Sequence, residues 1–311
     1  MKIRALVALL ALSACLAFGQ VDPELQKKEK SEVEKLAKLP EFGGGTIFFG
    51  GVTIDGFIRD GKPRYFAQRE SCGHYIVSMD ARFLAITRPF GERKCQVAIL
   101  NLSTLEERAL GDGEAGVPLS WSWDDSSIVG LYGGQVQIRS VAAGTSTSTL
   151  TFTPANAHSA RVWNVQFLHS GDGVLVDSEV CIPTKEPGEC ENKNMTFLVK
   201  NGETHKVANG SGCAVSPKDD TIACVTDHRV TLFDLAGHLQ KRLSRTPRGL
   251  FVLPIREDPW GQIVWSQDAS KIIYSTIIDE GGNTNIFIVD TRTGDQQRIL
   301  KRSSLRIVAW R

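Results

Sequence analysis

The stretch Val215-Ser216-Pro217-Lys218-Asp219-Asp220-Thr221-Ile222 decides the fold of this chain, because its pattern occurs five times. Each copy has a large apolar residue, a short polar turn and an aliphatic residue seven positions after the first. The other copies span Val77–Leu84, Trp121–Ile128, Phe167–Val174 and Trp265–Ile272. Two apolar runs joined by a tight polar turn are typical of paired β-strands. The constant seven-residue step therefore predicts a repeated β unit.

The distances between successive copies give the size of this unit. The opening residues are 44, 46, 48 and 50 positions apart, and Trp310 follows 45 positions after the last of them. This spacing is the length of one propeller blade. Since Trp310 begins a sixth unit without finishing it, that strand needs partners from elsewhere. We expect them to be Thr46–Gly50 and Arg64–Ala67.

These observations predict an all-β, six-bladed β-propeller over residues 42–311. Five blades are contiguous, and one is shared between residues near 46–67 and 303–311. A second set of turns supports this count, because Asn and Asp favour turn conformations and bond their own backbone. These turns follow a later strand in four of the five repeats and begin at Asn101, Asn201, Asp234 and Asp290.

The two kinds of turn carry a family resemblance. A Ser-Pro-x-Asp-type turn followed by an Asp-x-x-x-Gly-type turn resembles the WD-repeat-like propellers of the TolB type over residues 46–311. Two departures are that Pro217 is the only proline in its column and that Leu168 stands where the motif has Ser. The resemblance implies a scaffold, a partner-binding module or an accessory domain of a peptidase, since one fold serves many functions.

The N-terminal segment has the features of an export signal. A basic start is followed by an apolar run from Ala5 to Phe18, which is too short for a membrane-spanning helix. We expect a signal peptide over residues 1–19 and a periplasmic or secreted protein. A lipoprotein anchored through Cys15 is the alternative, because Leu12-Ser13-Ala14-Cys15 resembles a lipobox. An uncleaved amphiphilic tail is a third interpretation.

Residues 20–41 differ from the rest of the chain because charged residues dominate them up to Pro40. They predict a charged helical linker. The favoured interpretation is a solvated spacer between the export signal and the propeller. A docking helix is the alternative.

Charge and cysteine content limit the function classes. A net charge of +1 argues against a nucleic-acid-binding surface. Without Cys15 six cysteines remain, an even number that suits an oxidising compartment. The expected disulfides are Cys181 with Cys190, Cys213 with Cys224 and, by elimination, Cys72 with Cys95. Buried free thiols are the alternative for the last four residues.

Loop lengths indicate where a partner binds. Connections between the first and second and between the third and fourth strands are short, whereas the others are long and share the opposite face. Long insertions on one face of a repeat fold usually mark the binding face. Its candidate residues are Arg93, Lys94, Asp177, Glu179, Lys185, Glu186, Arg256, Asp258, Trp260, Asp279 and Glu280.

No catalytic or metal-binding pattern accompanies this face. A Gly-x-Ser-x-Gly elbow is absent, and the six histidines lack metal-ligand spacing. We therefore expect no catalytic residue, metal or cofactor. The sequence favours an exported, non-catalytic module that binds a protein or envelope partner. A secreted hydrolase or lyase with a site at the channel mouth is the alternative.

Overall fold

A computed structural model shows a six-bladed β-propeller, and an α-helix precedes it in the described part of the chain. The structure describes residues 22–42, 45–51, 53–66, 75–89, 94–111, 116–133, 135–155, 157–186, 188–218, 221–226, 229–245, 263–277 and 283–311. Each blade is a four-stranded antiparallel sheet, so the predicted all-β architecture is confirmed.

Five blades are contiguous in sequence, and in each of them the strands follow one another from the centre outward in chain order. Blade 1 contains β4 (Tyr75–Val77), β5 (Phe83–Pro89), β6 (Cys95–Asn101) and β7 (Glu107–Ala109). Blade 2 contains β8 (Gly116–Trp121), β9 (Ser127–Tyr132), β10 (Gln135–Ser140) and β11 (Ser146–Thr149). Blade 3 contains β12 (Ser159–Phe167), β13 (Gly173–Pro183), β14 (Cys190–Lys200) and β15 (Glu203–Asn209). Blade 4 contains β16 (Ser211–Val215), β17 (Ile222–Thr226), β18 (Arg229–Phe233) and β19 (Leu239–Arg245). Blade 5 contains β20 (Ile263–Trp265), β21 (Lys271–Ile277), β22 (Thr284–Asp290) and β23 (Gln296–Ser303).

The closing blade joins the two ends of the chain, as predicted. It consists of β24 (Arg306–Trp310), β1 (Thr46–Gly50), β2 (Asp55–Arg59) and β3 (Lys62–Tyr65), in that order. β2 was not predicted. The pairing of β24 with β1 covers the edges that both strands would otherwise expose.

The repeated turn has the same backbone bond in every blade. The residue after the opening apolar residue donates its N–H to the carbonyl oxygen that begins the second strand, as in Ser78 to Phe83 at 3.0 Å. In the closing blade, Arg311 donates to Thr46 in this way at 2.8 Å. Trp310 therefore holds the predicted column position, and Arg311 takes the place of the turn serine.

The core lies between neighbouring blades. Trp265 of blade 5, for example, packs in one cluster with Ala214 and Ala223 of blade 4. The column residues Trp121, Trp265 and Trp310 are all buried. Leu168, which replaces the motif serine, is also fully buried. An apolar residue at that place adds to the core instead of bonding the turn.

Helix α1 (Pro23–Ala37) begins at the cap residue Asp22, whose side chain accepts the N–H groups of Glu24 and Leu25. The helix predicted for this segment is confirmed. The interpretation of the helix as a solvated spacer is wrong, because one side of it packs against the propeller. Val33 and Leu36 are fully buried in a cluster formed mainly by the closing blade and blade 5. A short 3-10 helix (Pro40–Phe42) continues this contact. Among the described residues, no helix is long and apolar enough to cross a membrane.

Two of the predicted disulfides are present. Cys181 is bonded to Cys190, and Cys213 is bonded to Cys224. Cys95 is also disulfide-bonded. Its predicted partner, Cys72, lies outside the described residues.

Candidate functional site

The innermost strands β4, β8, β12, β16, β20 and β24 surround a central channel. A cavity of about 370 Å³ lies in it and reaches the face of the repeated turns, which we call the turn face. Its walls include Ile76, Leu119, Val264 and Val308, so the lining is largely apolar. Polar side chains also line it: Ser120, Asn164, Gln166, His169, Gln267 and Arg311.

The tryptophans fix the walls of this cavity. In blade 2, the indole N–H of Trp121 donates to the carbonyl oxygen of Ile76 at 3.3 Å, and that of Trp123 to Phe167 at 3.2 Å. Blade 2 is thereby bonded to both of its neighbours. Trp265 donates similarly across a blade boundary at 3.0 Å. Because buried indoles need such partners, these bonds make the inner strands a rigid frame.

The acidic side chains Asp124 and Asp268 of the repeated turns are structural. Asp268 accepts the hydroxyl groups of Ser266 at 2.7 Å and Ser270 at 2.8 Å. The bonds from the Ser266 hydroxyl and from the Ser270 backbone and hydroxyl lower the pKa of Asp268 to about 2. Asp124 makes the equivalent bonds, and its pKa is lowered for the same reason. These hydrogen bonds indicate that the two carboxylates stabilise the turn conformation.

Asp125 differs from these turn residues, because it links two blades. Its carboxylate accepts the N–H groups of Met79 at 2.6 Å and Asp80 at 3.0 Å. The pKa of Asp125 is raised, because desolvation outweighs the opposing effects of those two bonds and of the charge of Arg311. Arg311 is a charged residue that could bind a ligand, since it lines the cavity and its Nε is buried.

The opposite face carries the connections between the second and third strands and between blades, and we call it the long-connection face. The segment Asp177–Asn194, predicted as a loop insertion, is instead largely two strands. β13 and β14 have 11 residues each and pair from Gly173–Lys200 to Pro183–Cys190. The corresponding strand of blade 5, β21, has 7 residues. At about 3.3 Å per residue, the difference amounts to about 13 Å of extra strand length.

The base of this hairpin is well packed. Val180, Met195 and Phe197 form a small buried cluster. Phe152, in the connection between blades 2 and 3, meets Phe197 edge to face, with the ring centroids 5.3 Å apart. The disulfide between Cys181 and Cys190 joins the two strands near the tip. The hairpin therefore presents its tip from a rigid support.

The structure places the predicted binding residues unevenly. Lys185 and Glu186 are exposed at the hairpin tip, and Glu179 is half-buried on β13. Lys94 is exposed but belongs to blade 1, so blade 2 separates it from the hairpin. Asp177 is buried and does not belong to a binding surface. The predicted residues outside the described part of the chain are Arg93, Arg256, Asp258, Trp260, Asp279 and Glu280.

Asp177 instead connects blade 3 to blade 4. It accepts the Thr196 hydroxyl at 2.5 Å and the Asn164 amide at 3.4 Å. Desolvation raises its pKa to about 6, and bonds from these side chains and from the backbone of Cys213 and Gly212 lower it. Sequence reasoning missed this role because the donors come from three different strands.

A second group of buried carboxylates was also missed, because their partners are distant in sequence. Glu29 of α1 accepts the Thr53 N–H at 3.0 Å and the Ser304 hydroxyl at 2.6 Å. Glu32 accepts the Ser303 hydroxyl at 2.7 Å, and desolvation raises the Glu32 pKa. Desolvation also raises the pKa of Asp55 to about 6. Glu29 and Glu32 attach the helix to connections on the long-connection face.

The described carboxyl groups with a pKa near 6 do not converge on one site. Asp55 lies in the closing blade and Asp177 in blade 3, on nearly opposite sides of the ring. Within the described ranges, no group of three or more His, Cys, Asp or Glu side chains is arranged to hold a metal ion.

Comparison with solved structures places this fold among known propellers. TolB from Acinetobacter baumannii superposes with a TM-score of 0.60 at 16% identity, covering 88% of this chain and 68% of that one. The chain resembles TolB-type propellers at the level of the fold. A nidogen/laminin complex gives a TM-score of 0.55 at 9% identity, with 86% and 97% covered. An oligogalacturonate lyase in complex with manganese gives 0.52 at 14% identity, with 82% and 72% covered. No protein-family model and no curated protein sequence matches the chain.

Proposed function

We propose that this protein is an exported, non-catalytic propeller that binds a protein partner of the cell envelope through its long-connection face. The observation that carries the proposal is the hairpin of blade 3, which extends beyond the ordinary blade length and is joined by a disulfide. A rigid element costs little conformational entropy on binding, and this favours affinity. The two strands of the hairpin are the longest among the residues that the structure describes.

The chemistry of the hairpin tip suits a protein surface. Its exposed charged side chains have both signs, which is typical of specific, polar contacts at an interface rim. They are Lys185, Glu186, Glu189, Glu191 and Lys193. Glu191 and Lys193 already form an ion pair at 2.8 Å. The residues at the turn, Lys185, Glu186 and Glu189, are therefore the best candidates for contacts with the partner.

The proposed location outside the cytoplasm is supported by the two disulfides, because such bonds persist in oxidising compartments. We propose a periplasmic or secreted protein with a signal peptide over residues 1–19. Anchoring through a lipid on Cys15 remains the alternative within this proposal. Mass spectrometry of the mature N-terminus distinguishes the two, since only the lipoprotein begins with a modified Cys15.

The test is a comparison of two triple variants in a pull-down from envelope extract. One changes Lys185, Glu186 and Glu189 to Ala, and the control changes Arg292, Thr293 and Asp295 to Ala at an exposed turn on the turn face. We expect the partner to be retained by the wild type and the control and lost from the hairpin variant. A photo-crosslinker at position 185 should then join the same partner. Equal retention by both variants would disprove the proposed surface.

A further inference from the structure

The cavity on the turn face is lined by a cationic side chain, that of Arg311. Arg311 follows β24, and its Nε is buried and makes no hydrogen bond to any residue that the structure describes. Desolvation lowers the pKa of Arg311 to about 10, and the charge of Asp125 opposes that shift. The guanidinium is therefore charged at neutral pH. A buried charged donor without a partner is costly, which calls for an acceptor at this place.

Several nearby polar groups do not meet this demand, since they are engaged elsewhere. Asp125 already accepts two backbone N–H groups of blade 1. The amide of Gln166 is used at both ends: it donates to Cys213 at 2.7 Å and accepts from Val215 at 3.3 Å. The indoles of Trp121, Trp123 and Trp265 donate to backbone carbonyl oxygens. The acceptor that Arg311 lacks must come from outside this set.

The volume and the lining of the cavity indicate what else a ligand would contain besides an acceptor for Arg311. About 370 Å³ is within the range of small-molecule sites, which are usually concave, apolar and provided with few polar anchors. Ile76, Leu119, Val264 and Val308 offer apolar walls, and Trp123 contributes an aromatic ring. The His169 ring packs edge to face against the Trp123 ring, with the ring centroids 4.7 Å apart. An apolar or aromatic body with one anionic group fits this arrangement.

We propose that the central channel binds a small organic carboxylate from the turn face, with its carboxylate on the guanidinium of Arg311 and its apolar body against the channel walls. Charge-assisted bonds of this kind are stronger than neutral ones. The site is distinct from the hairpin surface of the proposed function, because the two lie on opposite faces of the ring. Either can fail without the other.

The test uses benzoate as the probe and benzamide, of the same shape but without charge, as its control. Nuclear magnetic resonance of the arginine Nε–Hε groups follows Arg311 directly. We expect benzoate to shift the Arg311 signal saturably and benzamide to bind at least tenfold more weakly. Equal responses to both compounds would overturn the proposal. So would a response to inorganic phosphate at concentrations as low as those of benzoate, because phosphate lacks the apolar body.

Variants separate the anchor from the cavity. R311Q should weaken benzoate binding at least tenfold, observed through the Trp123 indole signal, whereas R298Q changes an exposed arginine on β23 and should leave it unaltered. V308F keeps Arg311 but fills the cavity from a half-buried position, and it should also abolish binding. This second variant keeps the proposal testable if R311Q does not fold. Unchanged benzoate affinity in folded V308F would refute the site.

Discussion

Replacing the buried Asp177 by Asn should change how the stability of the propeller depends on pH. Asp177 has a pKa raised from 3.8 to about 6, chiefly because burial desolvates its carboxylate. The folded state therefore holds a proton more tightly than the unfolded chain does. The stabilisation from this proton is complete below about pH 4 and is lost as the pH rises through about 6.

The magnitude follows from the shift. A difference of about two pKa units corresponds to about 3 kcal/mol when the pH range covers both values. Between pH 4.5 and 7.5, Asp177 should remove about 2 kcal/mol of unfolding free energy as the pH rises. Asp55, whose pKa is also raised to about 6, adds a similar change. Its contribution is the same in the wild type and in D177N, so it cancels when they are compared.

Urea unfolding at pH 4.5 and 7.5, followed by tryptophan fluorescence with the disulfides intact, measures this effect. D177N should be less stable at both pH values, because its amide nitrogen meets hydrogen-bond donors. Its loss of stability between the two pH values should nevertheless be about 2 kcal/mol smaller than that of the wild type. T196V removes a hydroxyl that lowers the Asp177 pKa, so the pH dependence should grow. An identical pH dependence in the wild type and D177N would refute this reasoning.

Three further changes test other parts of the structure. Replacing Cys181 and Cys190 together by Ser should lower the unfolding free energy by about 2–3 kcal/mol in urea, because the disulfide closes a short loop; an unchanged midpoint would mean that the hairpin opens before the ring. E29Q, which places an amide among buried donors, should expose α1 and raise its rate of trypsin cleavage at least tenfold, whereas E24Q on the exposed side should not. G56A should lower the melting temperature, since a Cβ there would collide with a backbone carbonyl oxygen of β3, at a cost of about 1–3 kcal/mol; an unaltered melting temperature would show that β2 and β3 can separate freely.

The propeller could be predicted because its information is local and repeated. The seven-residue step from Trp121 to Ile128 fixes the register of one hairpin. Because the step occurs five times, it fixes the position of the first hairpin in each of five blades. The closing of the ring followed from the unpaired sixth strand, and the structure confirms it. β2 was missed because Asp55–Arg59 has a glycine and two charged residues among five, which obscures a strand pattern.

The site was harder to predict, because its contacts join residues distant in sequence. Asp177 stands next to a charged segment, yet donors from β12, β14 and β16 surround it. Glu29 and Glu32 look like solvent-facing helix residues until Ser303 and Ser304 are placed beside them. The hairpin was taken for a loop because its strands are rich in Lys, Glu and Asn near the tip. Charge pattern alone does not show whether a segment extends an existing sheet.

The pairing of β1 with β24 also decides how disturbances spread through the molecule. A row of repeats with two free ends loses its terminal units first, since each end has a neighbour on one side alone. Here β24 turns the row into a ring, and every blade has two neighbours. Helix α1 contacts both β3 and β23, so it spans the junction between the closing blade and blade 5. Weakening β24 would restore two ends that can fray, and blades 1 and 5 would become terminal units without any change in their own sequences.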